Sequence, residues 1–357
     1  MADPDFSDCL VLTGGGTGGH YFPAVALAEG ARQRWPDRRI VFLGARRGIE
    51  AGKLADSGWP HLLLDVEGFH GRSPLRMLRS LWKLLIARRR VIALFKAGRP
   101  WAVIGTGGYA SAPALLAARS LGIPYFLHES NAAPGSLVKL LAPGAARVWC
   151  GMEAAGSLLD KSDCATVGTP VRAAFLRAFT PVDRLGPPFQ LLVMGGSGGA
   201  KALNEAVAAL AHGLLERHGD WEILHQTGRS DPSGVASRHP RQVATPFIDA
   251  VDQVLEASSL VLCRAGAVTC AELRASGRPA VLVPLPTSAG DHQRLNARAM
   301  AAEGRAVLVE QGAGFADRLR SVLEGLMASV EDRHAMANPE PNRAVEKCLE
   351  DLAAKVG

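Results

Sequence analysis

Short, almost uninterrupted apolar runs alternate along the chain with longer segments in which apolar residues recur every three or four positions. Such runs are typical of buried strands, and the longer spacing is typical of amphipathic helices. In the first half the pattern predicts strands at 9–14, 40–45, 61–66, 101–107, 124–129, 147–151 and 165–168. It predicts helices at 23–35, 75–97 and 113–121. Strands that alternate with helices in this way indicate a parallel sheet covered on both faces.

The same pattern starts again after a proline-containing segment at 171–189, which we interpret as a linker. The second half opens with a strand at 190–195, a glycine turn at 195–199 and a helix at 202–218. Further strands are expected at 221–225, 260–263, 279–284 and 306–310, and an amphipathic helix at 342–356. The sequence therefore predicts an α/β protein with two doubly wound Rossmann-like domains that face a central cleft. We expect these domains at 1–170 and 190–340, and a C-terminal helix at 341–357.

Composition is typical of a globular protein. Of the 357 residues, 48% are apolar and 21% are charged. No apolar run reaches the roughly 18 residues that a membrane span needs. The six cysteines include no C-x-x-C pair, which argues against a disulfide framework or a zinc site. Because the acidic N-terminal residues also do not resemble a signal peptide, we expect a protein in the reducing cytosol.

Basic residues are concentrated in one part of the first half. Between Glu67 and Glu129 there is no acidic residue, although the net charge of the chain is only +6. The basic residues of this stretch are Arg72, Arg76, Arg79, Lys83, Arg88, Arg89, Arg90, Lys96, Arg99 and Arg119. Such a concentration favours an anionic partner. Charge alone does not decide whether that partner is a phospholipid, a nucleic acid or a phosphorylated substrate.

The predicted helix at 75–97 lies inside this basic stretch. Its apolar face consists of Leu75, Leu78, Leu81, Trp82, Leu85, Ile92 and Phe95. One interpretation is that this face packs on the sheet. The other is that Trp82 and its basic neighbours dock on an anionic membrane leaflet.

A glycine-rich motif follows the first predicted strand. Gly14, Gly16 and Gly19 fit the G-x-G-x-x-G pattern of a dinucleotide-binding turn. Such a site needs an acidic residue at the end of the second strand to bind a ribose, but Arg46 and Arg47 stand there instead. A dinucleotide is therefore disfavoured. The glycines also suit close approach of the backbone to another ligand, and amides at a helix start attract phosphate.

His20 follows this motif directly. No carboxylate follows the second predicted strand until Glu50. A histidine at the rim of a ligand-binding turn suits general base catalysis near neutral pH. The alternative is that His20 only caps the turn.

Two further turns in the second half suit a nucleotide. Ser197 lies in the glycine turn at 195–199, where amides at a helix start favour a diphosphate. Gly266 precedes another predicted helix, and Glu272, one turn inside that helix, suits the two hydroxyls of a ribose. For an isolated glutamate the alternative is a solvated helix residue.

Polar residues after a later strand suit sugar hydroxyls. They are Asp291, His292, Gln293 and Asn296. Arg172, near the predicted linker, suits a phosphate, although a surface arginine is the alternative. The only D-x-D pair is Asp3 with Asp5, so we expect no metal and no other cofactor. Amides at helix starts and an arginine would then stabilise the charge of a nucleoside diphosphate leaving group.

Seven motifs together resemble the MurG family of bacterial peptidoglycan synthesis. They are GGTGGH (15–20), GTGGYASAP (105–113), HESN (128–131), GTPVR (168–172), GGSGGA (195–200), CRAGAVTCAE (263–272) and DHQRLNA (291–297). The resemblance covers residues 9–330 and implies a GT-B fold and an inverting glycosyltransferase. The implied reaction moves N-acetylglucosamine from UDP-N-acetylglucosamine to the 4-hydroxyl of the muramoyl sugar of lipid I, undecaprenyl-diphospho-muramoylpentapeptide, which gives lipid II.

The resemblance also implies a peripheral location on the cytoplasmic face of the bacterial plasma membrane, and contacts with cell-wall machinery. It implies that UDP-N-acetylglucosamine is bound by Thr17, Gly18, Gly19, Asn131, Arg172, Ser197, Ile248, Ala267, Val268, Thr269, Cys270, Ala271, Glu272 and Gln293. Within this set, Ile248 would lie beside the uracil, 267–272 would hold diphosphate and ribose, and Gln293 would hold the sugar. Gly15, Gly16 and Tyr109 would face the acceptor, and His20 and Glu129 would be catalytic.

The chain departs from the family pattern at a few positions. Gly198 and Ser130 stand where glutamine is usual, and Ala265 and Ala271 stand where serine is common. These departures put side-chain contacts in doubt but leave the backbone amides. Another two-Rossmann UDP-sugar enzyme, either a lipid glucosyltransferase or a UDP-N-acetylglucosamine epimerase, stays open, as does a UDP-sugar-binding protein without catalysis. Nucleic acid is disfavoured because no RNA-binding aromatic motif is present.

Overall fold

The computed structural model describes residues 3–68, 73–159, 162–196, 198–228 and 239–356. The strands are β1 Cys9–Thr13, β2 Arg39–Ala45, β3 His61–Leu64, β4 Ala102–Gly105, β5 Tyr125–Glu129, β6 Arg147–Cys150, β7 Cys164–Thr166, β8 Phe189–Met194, β9 Trp221–Gln226, β10 Gln242–Thr245, β11 Leu260–Cys263, β12 Ala280–Leu282 and β13 Ala306–Leu308. The helices are α1 Gly18–Arg34, α2 Ile49–Ala55, α3 Pro74–Ala97, α4 Ala112–Leu121, α5 Ser136–Leu141, α6 Glu153–Ser157, α7 Lys201–Arg217, α8 Val251–Ala257, α9 Ala267–Ser276, α10 His292–Ala302, α11 Phe315–Ala328, α12 Val330–Met336 and α13 Ala344–Val356. They form two compact units, Met1–Ala173 with Asn342–Gly357, and Ala174–Pro341.

The first unit contains a parallel seven-stranded sheet in the order β3-β2-β1-β4-β5-β6-β7. Strands β1, β4 and β5 are buried along their whole length because helices cover both faces. On one face, Phe95 of α3 and Leu115 of α4 belong to the core. On the other face, Leu27 of α1 and Leu352 of α13 do so. The predicted two-sided parallel sheet is confirmed.

The second unit contains a parallel six-stranded sheet in the order β10-β9-β8-β11-β12-β13. With both sheets parallel and helix-connected, the predicted α/β class with two Rossmann-like domains is confirmed. The sequence pattern did not predict β10, whose residues read QVAT. This strand lies at the sheet edge, where burial on both faces is not required, so it lacks the apolar run that marks a central strand.

Each sheet has one point at which the strand order reverses. Strand β1 lies between β2 and β4, and β8 lies between β9 and β11. In open sheets of this kind, ligands bind outside the carboxyl ends of the strands at such a point. In the first unit the turns after β1 and β4 meet there, and in the second unit the turns after β8 and β11 do.

Helix α1 begins at Gly18 rather than at the predicted position 23. The amide of Tyr21 donates to the carbonyl of Thr17 over 3.1 Å, so the end of the glycine motif already forms a helical turn. Pro23 suggested a helix start because proline favours the first helical position. Inside α1 it removes one hydrogen bond, to the carbonyl of Gly19. His20 is therefore a helix residue, with Thr17 at the N-cap position.

The C-terminal helix α13 packs on the first unit. A Cβ on Gly30 of α1 would lie 2.4 Å from Val345, so glycine permits the close approach of the two helices. The carboxylate of Asp351 accepts hydrogen bonds from the guanidinium of Arg147, at 2.9 Å, and from Nε1 of Trp149, at 2.7 Å. The helix thus completes the apolar face of the sheet formed by the beginning of the chain.

Candidate active site

The turns after β1 and β4 fit together through a glycine and a threonine. A Cβ on Gly14 would lie 1.9 Å from Oγ1 of Thr106, so a side chain at this position has no room. The Thr106 hydroxyl donates a hydrogen bond to the carbonyl oxygen of His20 at 2.7 Å. The first turn of α1 is thereby held at the carboxyl edge of the sheet.

The imidazole of His20 faces the glycine turn. Its Nδ1 lies 3.3 Å from the carbonyl oxygen of Gly15 and 3.2 Å from Oγ1 of Thr17. Because a carbonyl oxygen only accepts hydrogen bonds, this contact places a proton on Nδ1, and the neutral form of the ring is then the Nδ1–H tautomer. The lone pair is then on Nε2, where a general base needs it.

Two glycines after β4 make room for this ring. A Cβ on Gly107, whose φ is +101°, would lie 3.1 Å from Nε2 of His20. A Cβ on Gly108, whose φ is +78°, would lie 2.9 Å from Nδ1. The two glycines of the GTGG motif at 105–108 therefore leave space for the histidine ring of the other turn. Sequence spacing does not reveal this contact.

Tyr109 packs against the same glycine turn. A Cβ on Gly16, whose φ is +85°, would lie 2.8 Å from Cε1 of the tyrosine ring. The residues predicted to face the acceptor, Gly15, Gly16 and Tyr109, therefore lie together beside His20. Of the predicted donor residues, Thr17, Gly18 and Gly19 form the N-cap and the start of α1.

Glu129 is buried, and both of its carboxylate oxygens are used locally. Oε1 accepts hydrogen bonds from the backbone amide and the side-chain Nδ2 of Asn131, at 2.9 and 3.0 Å. Oε2 accepts from the amide of Gly135 at 2.8 Å. This geometry favours a role in shaping the turn and orienting Asn131 over the predicted catalytic role of Glu129.

His128 and Ser130 form a buried pair beside that turn. Nε2 of His128 lies 2.9 Å from the carbonyl oxygen of Gly168, and its Nδ1 lies 3.2 Å from the Ser130 hydroxyl. Burial lowers the pKa of His128, so the ring is neutral. Ser130, which stands where the family usually has glutamine, therefore acts as a local hydrogen-bond partner.

Arg172 lies against α1. Its guanidinium carbon is 5.0 Å from the centroid of the Phe22 ring, within the range of a cation–π contact. The predicted phosphate-binding arginine thus belongs to the first unit, next to the helix that carries His20.

In the second unit, the turn after β8 is shaped by backbone contacts. A Cβ on Gly199 would lie 2.2 Å from the carbonyl oxygen of Thr227, which also accepts a 2.8 Å hydrogen bond from Nδ2 of Asn204. A Cβ on Gly198 would meet nothing within 4 Å, so this position is not restricted to glycine by a neighbouring atom at its Cβ. The predicted donor residue Ser197 lies outside the described residues.

The turn after β11 leads directly into α9. The amide of Cys270 donates to the carbonyl of Gly266 at 2.9 Å, so the preceding amides, those of residues 267–269, are the ones that point out of the helix start. Amides so placed suit an anion. Glu272, one turn further, is only 6% exposed. Burial raises the pKa of Cys270 to about 12, so this predicted donor residue is a neutral thiol.

The remaining predicted donor residues also support neighbouring turns. Oε1 of Gln293 accepts from the amide of Leu285 at 3.0 Å, and Nδ2 of the buried Asn296 donates to the carbonyl of Ala265 at 3.1 Å. Asn296 therefore braces the turn before α9, although the sequence suggested that it binds sugar hydroxyls. Ile248 is buried in the segment after β10. Val268 and Ala271 are also buried, and Ala267 and Thr269 complete the first turn of α9.

Among the described residues, one group has the composition of a metal site. The possible ligand atoms of His212, Glu216 and His239 lie within 4.8 Å of one another. Nδ1 of His239 accepts from the amide of Arg241 at 3.1 Å, and its Nε2 faces Glu216 at 3.0 Å. A metal on Nε2 would require a proton on Nδ1, directed at a backbone N–H. The group therefore fits a hydrogen-bonded pair better than a metal centre.

Helix α3 has one buried and one exposed face. Phe95 is buried and Ile92 packs partly buried against the core, so the prediction that they share a single apolar face with Trp82 is wrong. Leu75, Leu78 and Trp82 are 80%, 65% and 61% exposed. The other exposed apolar residues of this helix are Met77, Leu81, Leu85 and Ile86. Packing on the sheet is therefore confirmed for the buried face of this helix, whereas docking of the exposed face on a membrane stays a prediction.

The basic residues near this exposed face differ in their pairing. Arg47, Arg76 and Arg79 line an open cavity of about 320 Å³ together with Glu67. Lys83 is paired with Asp65 at 2.9 Å and with Glu67 at 2.5 Å, and the hydrogen bond to Glu67 raises its pKa. Arg90 is paired with Asp3, and Arg72 lies outside the described residues. Arg76 and Arg79 thus place positive charge at the N-terminal end of α3, beside the exposed apolar residues.

Two parallel sheets with glycine turns and helix starts at their reversal points define the two-Rossmann class to which GT-B glycosyltransferases belong. The model of the glycosyltransferase family 28 N-terminal domain matches residues 10–150, and that of the family 28 C-terminal domain matches residues 190–352. The chain belongs to glycosyltransferase family 28, and its resemblance to the MurG family is confirmed.

Curated relatives match over most of both chains. A protein of Syntrophotalea carbinolica is 39% identical over 323 residues, 89% of each chain, and one of Acidithiobacillus ferrooxidans is 37% identical over 98% of this chain and 97% of its own. Both are named UDP-N-acetylglucosamine--N-acetylmuramyl-(pentapeptide) pyrophosphoryl-undecaprenol N-acetylglucosamine transferase. The solved structure of Acinetobacter baumannii MurG has a TM-score of 0.75 at 28% identity and covers 97% of this chain and 99% of its own.

A putative UDP-N-acetylglucosamine 2-epimerase from Listeria monocytogenes also has this fold, with a TM-score of 0.70 at 15% identity. It covers 99% of this chain and 97% of its own. At that identity the similarity concerns the fold alone. The fold by itself therefore does not separate a transferase from an epimerase, whereas the family match does.

Proposed function

We propose that this protein is an inverting hexosyltransferase of peptidoglycan synthesis. It transfers N-acetylglucosamine from UDP-N-acetylglucosamine to the 4-hydroxyl of the muramoyl sugar of lipid I, and the product is lipid II. The observation that carries this proposal is 39% identity, over 89% of the chain, to a relative named for this transfer. The family match to both halves supports it.

The second unit binds the donor in this proposal. The outward amides at the start of α9 hold the diphosphate, and the buried carboxylate of Glu272 binds the ribose hydroxyls. Ile248 lies beside the uracil, and Gln293 and the turn after β8 contact the sugar and phosphates. The positive charge of Arg172 is also assigned to the diphosphate in this proposal, so protein groups stabilise the leaving group without a metal or another cofactor.

The first unit supplies the base. Nε2 of His20 takes the proton of the acceptor 4-hydroxyl while that oxygen attacks the anomeric carbon and UDP departs, so one displacement inverts the configuration. The contact between Nδ1 and the Gly15 carbonyl supports this role because it leaves the lone pair on Nε2. Gly16 and Tyr109 lie beside His20 and face the acceptor.

The exposed face of α3 holds the protein at the anionic membrane surface where the lipid acceptor resides. Leu75, Leu78 and Trp82 enter the interface, and Arg76 and Arg79 contact lipid phosphates. The described parts of the chain contain no helix long and apolar enough to cross a membrane. The exposed face of α3 and the family match support the proposal of a peripheral protein on the cytoplasmic face of the plasma membrane.

The decisive experiment incubates the protein with labelled UDP-N-acetylglucosamine and a lipid I analogue, followed by product analysis. The expected product is the β-linked disaccharide lipid, and its formation requires the acceptor. Conversion of UDP-N-acetylglucosamine without acceptor would instead identify an epimerase. Binding of UDP-N-acetylglucosamine without either reaction would identify a non-catalytic binding protein.

A further inference from the structure

A buried carboxylate that is not among the predicted site residues lies behind the first glycine turn. Glu50 is fully buried, at the start of α2. Its Oε2 accepts a hydrogen bond from the amide of Gly16 at 2.8 Å, and its Oε1 accepts from the amide of Ala45 at 3.0 Å. A buried charge without such partners would be strongly unfavourable, and here the backbone provides them.

Three glycines clear the space for this side chain. A Cβ on Gly15, Gly44 or Gly48 would lie 2.2, 2.8 or 2.0 Å from atoms of Glu50. The glycines come from the turn after β1, from β2 and from the N-cap of α2. The backbone at three separate places is thus shaped around one carboxylate, which fixes its position.

The amide bound by Glu50 belongs to the peptide group that also contacts His20. The N–H of Gly16 and the carbonyl of Gly15 are the two ends of one planar peptide. The Glu50 carboxylate accepts from its N–H, and its carbonyl oxygen lies 3.3 Å from Nδ1 of His20. A carboxylate, one peptide group and an imidazole therefore form a continuous hydrogen-bonded chain.

We propose that Glu50 is a positioning residue for His20 and acts through the peptide between Gly15 and Gly16. An ionised carboxylate polarises this peptide, so the Gly15 carbonyl becomes a stronger acceptor for the Nδ1 proton. The arrangement is similar to the carboxylate of a catalytic triad, which orients an imidazole and stabilises its protonated form, with a peptide group inserted between the two. The inference rests on the proposed role of His20 as the base.

The proton balance of this arrangement is simple. The 4-hydroxyl loses its proton to Nε2 of His20, its oxygen bonds to the anomeric carbon, and the bond to UDP breaks with its electrons on the diphosphate. The imidazolium retains its Nδ1 proton, which stays hydrogen-bonded to the Gly15 carbonyl. No proton is transferred to Glu50 in this step, because the intervening peptide does not pass one.

The hydroxyl of Thr17 allows a second hydrogen-bonding arrangement at Nδ1 of His20. This hydroxyl lies 3.2 Å from Nδ1 and is able to donate as well as accept. When the Gly15 carbonyl is a weaker acceptor, a Thr17 hydroxyl that donates to Nδ1 moves the ring proton to Nε2. A ring in that state does not act as the base at Nε2. Glu50 therefore selects the active tautomer.

A double-mutant cycle tests the inference. Glu50→Gln should lower kcat by about 10- to 100-fold and change the KM for UDP-N-acetylglucosamine by less than about twofold. In the His20→Ala background, Glu50→Gln should lower kcat by no more than about twofold, since coupled residues are not additive. The matched control is Glu29→Gln, which replaces a half-buried glutamate of α1 and should keep wild-type activity.

The outcomes separate this inference from the proposed function. Full activity of Glu50→Gln, or additive losses in the double variant, would overturn the role of Glu50 while leaving His20 as the base. Full activity of His20→Ala would overturn the base and, with it, the role of Glu50.

A spectroscopic measurement does not depend on whether Glu50→Gln folds. ¹⁵N-histidine NMR of the wild type, with the His20 resonances assigned by their loss in His20→Ala, should show neutral His20 protonated on Nδ1. Protonation on Nε2 in the wild type would overturn the inference.

Discussion

The Thr106 hydroxyl donates a 2.7 Å hydrogen bond to the carbonyl of His20, and so ties the turn after β4 to the first turn of α1. This contact sets the backbone of the histidine, whereas the Gly15 carbonyl sets its ring. Backbone and ring are thus held by the turns that follow two different strands of one sheet, β4 and β1. Such double fixation is what a general base requires, because proton transfer depends on placing its lone pair within hydrogen-bond distance of the substrate.

Replacing His20 with alanine should lower kcat by about two to four orders of magnitude, the usual contribution of a general base. Affinity for UDP-N-acetylglucosamine, measured by calorimetry, should change far less, because the proposed donor site lies mostly in the second unit. Steady-state transfer to a lipid I analogue provides kcat. An unchanged kcat would remove His20 from the mechanism.

Replacing Glu272 with alanine should weaken UDP binding by about tenfold or more, because a charged hydrogen bond to the ribose hydroxyls is lost. Calorimetric titration with UDP measures this change. The matched control is Glu205→Ala, which removes an exposed glutamate of α7 in the same unit. Equal UDP affinity in both variants and the wild type would refute the assignment of Glu272 to the ribose.

The exposed face of α3 should determine binding to vesicles. Leu78→Glu with Trp82→Glu should lower partitioning onto vesicles that contain anionic phospholipid by more than about tenfold, since each buried apolar side chain contributes roughly 1.5–3 kcal/mol. Co-sedimentation at low and high salt separates the apolar from the electrostatic contribution to vesicle binding, because salt screens the electrostatic one.

The control for this surface is Leu140→Glu, which replaces a 60% exposed leucine of the same unit. Vesicle binding of this variant should match the wild type. Equal losses in both variants, or strong binding to neutral vesicles alone, would contradict docking through α3.

Removal of divalent cations should leave transfer nearly unchanged. Because helix-start amides and Arg172 are proposed to stabilise the diphosphate, dialysis against EDTA should change kcat by less than about twofold. The measurement compares chelated protein with and without added Mg²⁺. A large loss restored by Mg²⁺ would show that the leaving group needs a cation.

The docking of α13 should depend on pH through Asp351. Burial alone would raise the pKa of this carboxyl, but hydrogen bonds from Arg147 and Trp149 outweigh it and hold the pKa below the ordinary value of 3.8. The stabilisation is therefore complete above the unfolded pKa and is lost as the pH falls through the lower folded pKa. Asp351→Asn should lower the free energy of unfolding at pH 7 by about 1–3 kcal/mol.

Urea unfolding at neutral and acidic pH measures this difference, which should shrink once the wild-type carboxyl is protonated. Glu350→Gln, an exposed neighbour on α13, is the control and should leave the unfolding free energy nearly unchanged. A constant difference between wild type and Asp351→Asn across this pH range would contradict the linkage.

Local sequence was sufficient for most of the fold because buried parallel strands must be apolar on both faces. Strand β11 was predicted with its observed bounds, and β1, β5 and β8 were placed to within one residue. The failures have physical causes. Strand β10 is an edge strand without an apolar run. Pro23 suggested that a helix begins at residue 23, although α1 begins at Gly18. Helix α3 buries Phe95 but exposes Trp82, which a single apolar periodicity does not separate.

The sequence by itself determined the repeated strand–turn–helix order, the glycine turns and the histidine after the first of them. These features follow from periodicity and from residues whose backbone freedom or chemistry is local. Only the tertiary structure decided what each polar group contacts. Glu129 is occupied by its own turn, whereas Glu50 reaches the glycine turn 34 residues away. Parallel strands bring residues from distant parts of the chain to one sheet edge, so such hydrogen bonds depend on strand order and not on local spacing.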